Sequence, residues 1–164
     1  MMNPQSLTRG RAALPRFVTQ VILGGALLVA SVPAFASPIG WDAFGGWYTD
    51  PSEFLVGGGA RLAIGTITFN PNAEYIFAEN ATKYTLNLDG TMSVMPLGVA
   101  SVYAGAGLTF FTVDPDGGKS NTDKGLNLLA GAGVNAIPLK PYGQIKWAFV
   151  NGDSPFSFSF GVRF

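Results

Sequence analysis

Apolar and polar side chains alternate along the last ten residues of the chain. Phe156, Phe158, Phe160, Val162 and Phe164 are interleaved with Ser157, Ser159, Gly161 and Arg163. A period of two puts the five apolar side chains on one face of a β-strand and the small or polar ones on the other. The same alternation recurs upstream and predicts strands over 40–49, 54–64, 67–78, 82–94, 100–113, 125–137 and 141–150, with 155–164 as the eighth. The connectors alternate in character. Gly65-Thr66, Met95-Pro96-Leu97-Gly98 and Pro138-Leu139-Lys140 are tight and nearly uncharged, whereas 50–53, 79–81, 114–124 and 151–154 are polar.

An apolar strand face must be covered, either by a second layer of protein or by lipid. A tilted membrane strand needs about 9–11 residues, so eight of them need roughly 80. Parity assigns the faces. Outward fall Trp41, Ala43 and Trp47; Val56, Ala60, Leu62 and Ile64; Phe69, Ala73, Tyr75 and Phe77; Tyr84, Leu86 and Leu88; and Ile145, Trp147 and Phe149. Inward fall Asp42, Glu74 and Asp89 against Arg61, Lys146 and Arg163, with Asn70, Asn72, Asn87, Asn127 and Gln144 among them. Buried charges are tolerable only when paired and hydrogen-bonded. Three of each sign inside a narrow barrel therefore predict a cross-linked, filled lumen, since eight strands leave just enough width for side chains.

Two segments echo one another: 103–108 (Tyr-Ala-Gly-Ala-Gly-Leu) and 129–134 (Leu-Ala-Gly-Ala-Gly-Val). Their alanines and leucines are expected outward and Gly105, Gly107, Gly131 and Gly133 inward, making room for the rings of Tyr103, Phe111 and Tyr142. Neither segment completes a dinucleotide-binding glycine loop, and neither has the strand–loop–helix setting such a loop requires.

Composition narrows the possibilities. Residues 1–36 read as a cleaved signal peptide: Arg9, Arg11 and Arg16 are basic, 17–30 is mostly apolar, and Ala34-Phe35-Ala36 supplies the small residues before a cut at Ser37. The apolar run is shorter than the ~18 residues of a spanning helix. The remaining domain, 37–164, keeps 7 of the 10 basic residues and all 10 acidic ones, a formal charge of −3. That balance argues against nucleic acid as a partner. With neither Cys nor His, the chain has no disulfide framework, thiol nucleophile or Ser-His-Asp triad, and most zinc sites are excluded.

In their order, Gly57-Gly58-Gly59-Ala60-Arg61-Leu62, Asn72-Ala73-Glu74-Tyr75, Thr85-Leu86-Asn87-Leu88-Asp89-Gly90, 103–108, 141–147 and Phe160-Gly161-Val162-Arg163-Phe164 resemble the small eight-stranded outer-membrane β-barrel proteins of bacteria. The resemblance covers essentially all of 40–164. It implies an all-β, antiparallel up-and-down transmembrane barrel, delivered by a signal peptide, embedded in outer-membrane lipid and inserted by the barrel-assembly machinery. Phe160, Val162 and Phe164 would form the C-terminal insertion signal. The architecture hosts adhesins, enzymes, inhibitors and anchors, so it carries no activity with it.

Candidate chemistry is sparse. Asp114, Asp116, Asn121 and Asp123 are oxygen ligands a hard cation could use, but they lack the order of a calcium loop, and a solvated loop is the plainer reading. Glu74 and Asp89 could share a proton as a catalytic pair; structural ion pairs with Arg61 or Lys146 are the plainer reading there too. The expectation is a monomeric barrel with a structural, anchoring or surface-contact role, without cofactor, metal or catalysis. A narrow channel for small solutes and a secreted soluble barrel binding an apolar ligand are its rivals.

Overall fold

The alternating stretches do form strands, and each is long enough to reach across a bilayer or nearly so. The computed structural model describes residues 39–151 and 154–164; the expected signal peptide lies outside the described residues, as do Gly152 and Asp153. The strands are β1 (Ile39–Thr49), β2 (Ser52–Ile64), β3 (Ile67–Phe77), β4 (Ala81–Leu97), β5 (Ala100–Pro115), β6 (Asn121–Val134), β7 (Tyr142–Val150) and β8 (Phe156–Arg163). Each pairs antiparallel with the next, and β8 returns to β1, closing an eight-stranded barrel. At the seam Trp47 lies opposite Phe158 and Asp42 opposite Arg163. There the backbones of Trp41 and Phe164 exchange hydrogen bonds of 2.8 and 3.0 Å. Closure removes the edge that an open sheet would present.

Connectors 50–51, 78–80, 116–120 and 151–155 share one end of the barrel, here the loop end. Connectors 65–66, 98–99 and 135–141 lie at the other, the turn end, where Gly65 (φ 62°) and Gly98 (φ 70°) take the left-handed backbone that tight turns demand.

Strand boundaries differ from the sequence reading most around β4, β5 and β6. The polar connector expected over 114–124 shrinks to 116–120, because β6 pairs with β5 from Asn121 opposite Val113, with the Thr112 and Thr122 hydroxyls 2.9 Å apart, and Asp114 and Pro115 pair with Thr82 and Ala81 of β4. Polar residues there sit on a strand that runs past the apolar belt. At the turn end β6 stops at Val134 rather than residue 137, and the Asn135 N–H donates to the Val99 carbonyl at 2.7 Å. β4 instead runs on to Leu97 through a bulge between Ser93 and Met95. Its pairing with β3 ends at Met92, so Pro96 pairs with Ser101 of β5 alone and is an edge residue on its β3 side, where a proline is tolerated.

Pro71 lies within β3 and has no N–H to give. The β2–β3 pairing is interrupted between Gly59–Asn72 and Leu62–Phe69. The carbonyl of Ala60 instead accepts the side-chain amide of Asn70 at 2.8 Å, so a lumen side chain replaces the missing ladder bond.

Outward positions form an apolar belt. Leu86, Leu88, Leu108, Leu126, Leu128 and Ile145 are each about half exposed, 49–58%. Toward the loop end the belt turns aromatic: Trp47 packs against Phe54 and Phe158 at 5.4 Å, Phe54 against Phe77 at 5.6 Å, and Trp147 against Phe149 at 5.5 Å. The indole N–H gives Trp47 and Trp147 a polar tip on an apolar body, which suits a membrane–water boundary, and that of Trp147 donates to the Ser154 carbonyl at 3.2 Å.

Candidate functional site: the filled lumen

The inward positions of the strands converge on the barrel axis, and two apolar clusters pack there. Tyr48, Leu55 and Ile76, with Phe44 and Phe111, pack toward the loop end. Tyr103, Leu129 and Tyr142, again with Phe44, pack toward the turn end. Leu129 corrects the sequence reading: it is 5% exposed, because it shares the parity of Gly131 and Gly133 rather than that of the flanking alanines. The glycines do make room. A Cβ on Gly131 would overlap the Tyr103 hydroxyl and stand 2.6 Å from the Gly143 carbonyl, and one on Gly133 would lie 3.1 Å from Tyr142 Cβ.

A polar network fills the space beside these clusters. Lys146 Nζ donates to Glu74 Oε1 in a buried ion pair. The other oxygen of Glu74 accepts from the hydroxyls of Tyr48 and Thr85, both at 3.0 Å. Asn87 links Thr85 (2.9 Å) to Asn72 (2.9 Å). Asp89 accepts from the amides of Asn72 at 2.8 Å and Asn127 at 3.1 Å, and Asn72 continues to Asn70, which reaches Asp42 at 3.1 Å. One connected set of side-chain hydrogen bonds thus runs from Asp42 to Lys146.

All six charged residues assigned inward by parity share this interior, but they do not pair one to one. Among the described residues, Glu74–Lys146 is the single ion pair in the lumen. Asp89, 2% exposed, is held by amides alone. Arg163 places its guanidinium carbon 4.7 Å from the Tyr103 ring and 4.1 Å from the Tyr142 ring, a cation–π sandwich. Arg61 makes no hydrogen bond or ion pair among the described residues; it interacts with Asp42 and Arg163 only through space. Asparagine is therefore the main cross-linking residue. An amide both donates and accepts, so it can join carboxylate to hydroxyl to amide, which a bare charge pair cannot.

The other singled-out residues fall as follows. Phe160 (64% exposed) and Phe164 (39%) are on the outer face, with Val162 half-buried beside them. Glu74 and Asp89 do not contact each other; Thr85, Asn87 and Asn72 lie between them. Asp123 bonds to Asn121 at 2.9 Å and to Asn151, and no cluster of three metal-ligating side chains occurs among the described residues. Sequence reasoning missed the Lys83–Glu53 pair (2.6 Å) at the loop end, where β4 and β2 flank the end of β3. It also missed Leu55 and Ile76 as lumen residues, although parity with Gly57 and Glu74 places both inside.

A closed antiparallel meander of eight strands, apolar outside and hydrogen-bonded inside, is the architecture of the small outer-membrane β-barrels. Solved structures of that class superpose on this chain. Neisserial surface protein A is 18% identical with a TM-score of 0.62, over 77% of this chain and 96% of that one. The N-terminal β-barrel domain of Pseudomonas aeruginosa OprF is 16% identical with a TM-score of 0.63, over the same shares. A de novo designed transmembrane β-barrel is 15% identical with a TM-score of 0.54, covering 77% and 94%. No family model matches the sequence, and no curated protein does.

Proposed function

We propose that the chain is an integral bacterial outer-membrane protein: a monomeric barrel with a closed lumen and a structural, anchoring or surface-contact role, without catalysis. The observation that carries this reading is the pairing of the two faces. Leucines and aromatic rings are half exposed around the outside, while asparagines, carboxylates and a lysine are buried and bonded within. In water the first arrangement exposes far more contiguous apolar surface than a soluble monomer tolerates; in lipid it is the expected one. The inverse arrangement, which a soluble carrier of an apolar ligand would need, has no support in this geometry. Outward Phe160, Val162 and Phe164 at the end of β8 suit recognition by the barrel-assembly machinery. An exported precursor with a cleaved signal peptide completes the reading.

Closure rests on the network. Passage of a solute would require breaking the bonds among Asn72, Asn87, Asn127 and Asp89 together with the Glu74–Lys146 pair. Planar-bilayer recording of the refolded protein tests this: the expected result is a silent membrane, and steady unitary conductance steps would replace the closed barrel with a narrow channel.

A further inference from the structure

The charges of the lumen balance as a whole but not locally. Lys146 is matched by Glu74, and Asp89 is matched by amides. That leaves Arg61 and Arg163 at the turn end with Asp42 as their one neighbouring carboxylate. Two buried polar atoms here lack partners, and two groups beside them make no hydrogen bond among the described residues. Asp42, 8% exposed, bonds Asn70 through Oδ2 and has the Gly59 backbone beside its carboxylate, while no donor stands within hydrogen-bond geometry of its buried Oδ1. Arg163 Nε is buried and donates to nothing. Arg61 makes no hydrogen bond among the described residues, and neither does the hydroxyl of Tyr142, which is 7% exposed. The Tyr103 hydroxyl, by contrast, is engaged by Gln144 at 3.1 Å. Asp42 lies opposite Arg163 across the β1–β8 seam, Arg163 packs 4.1 Å from the Tyr142 ring, and Arg61 stands two residues beyond Gly59, the β2 partner of Asp42.

A buried polar group without a partner is costly, and a surplus buried charge more so. What would satisfy this set must carry negative charge for two guanidiniums, accept a hydrogen bond from a phenol, and donate one to a carboxylate. Water supplies no charge. A halide cannot donate. We propose that the turn end of the lumen is a binding site for a protonated oxyanion, with hydrogenphosphate as its simplest member. Its oxygens accept from Arg61, Arg163 and Tyr142, and its own O–H donates to Asp42 Oδ1. The ring sandwich around Arg163 holds one donor in place before binding, and Asp42 sets specificity: sulfate has no proton at neutral pH and would meet the carboxylate lone pairs head-on.

The test is isothermal titration of inorganic phosphate into the protein refolded in detergent micelles at neutral pH, with sulfate at matched ionic strength as comparator. A boiling-dependent gel shift verifies that each variant is folded. Wild type is expected to bind one phosphate saturably, with sulfate weaker by roughly tenfold or more, the consequence of one unmade hydrogen bond at a buried carboxylate. Arg61→Gln should weaken phosphate by a similar factor, and Arg61→Lys by less. Asp42→Asn should let sulfate bind as well as phosphate, because the amide can donate. If folded wild type shows no saturable phosphate binding, binds sulfate equally, or binds phosphate unchanged after Arg61→Gln, the site does not exist as described. Silence or conductance in the bilayer leaves these outcomes untouched, so this inference and the closed-lumen reading fail independently.

Discussion

Lys146 and Glu74 carry the largest single stake among the lumen side chains. Both are almost fully buried, and Glu74 also anchors Tyr48 and Thr85. Lys146→Met removes one charge and leaves the other uncompensated, a loss of about 3–5 kcal/mol of stability. The double variant Lys146→Met/Glu74→Gln removes both charges and should recover most of that loss. Urea unfolding of the refolded variants measures it; equal losses for the single and double variants would mean that the pair is solvated. At this scale the sequence was informative about side and poor about partner. Period-two parity placed Asp42, Arg61, Glu74, Asp89, Lys146 and Arg163 inside, because a pleated strand has only two faces. Which group meets which depends on the stagger of strands around the closed barrel, and alternation says nothing about stagger. Hence Asp89 meets Asn72 and Asn127 rather than an arginine.

Elements show where local pattern and ladder disagree. Pattern ended β5 at residue 113, yet pairing carries it to Pro115, because once a hairpin is in register its ladder continues through polar residues. Pro71 is the reverse case, a residue that argues against a central strand and is accommodated there because Asn70 supplies the missing donor. Asn70→Ala should therefore strip two acceptors, the Ala60 carbonyl and Asp42 Oδ2. It should destabilise by about 1–3 kcal/mol, with faster amide exchange local to β2 and β3; exchange rates unchanged there would remove this role. On β8, Phe158→Arg should cost about 2–4 kcal/mol if it lies near the bilayer midplane and less toward the interface. Ser157→Ala, on the inner face of the same strand, should cost little. Equal tolerance of both in refolding into lipid bilayers would contradict the face assignment.

Taken whole, the molecule is a barrel turned inside out relative to a soluble one. Its fold was legible because each level repeats the same instruction: eight alternating stretches, with short apolar connectors at one end and polar ones at the other. Its interior was legible only in outline. Two apolar clusters, built on Leu55, Ile76 and Leu129, share the lumen with the polar network, and attention to inward charge alone hides them. The central claim is that lipid covers the outside of a folded, closed barrel. Fractionation of the expressed precursor tests it most directly, with boiled and unboiled samples of each fraction run on a denaturing gel and the N-terminus of the product sequenced. The account predicts a product beginning at Ser37 in the outer-membrane fraction, whose mobility changes on boiling. A product that stays soluble without lipid or detergent would contradict it.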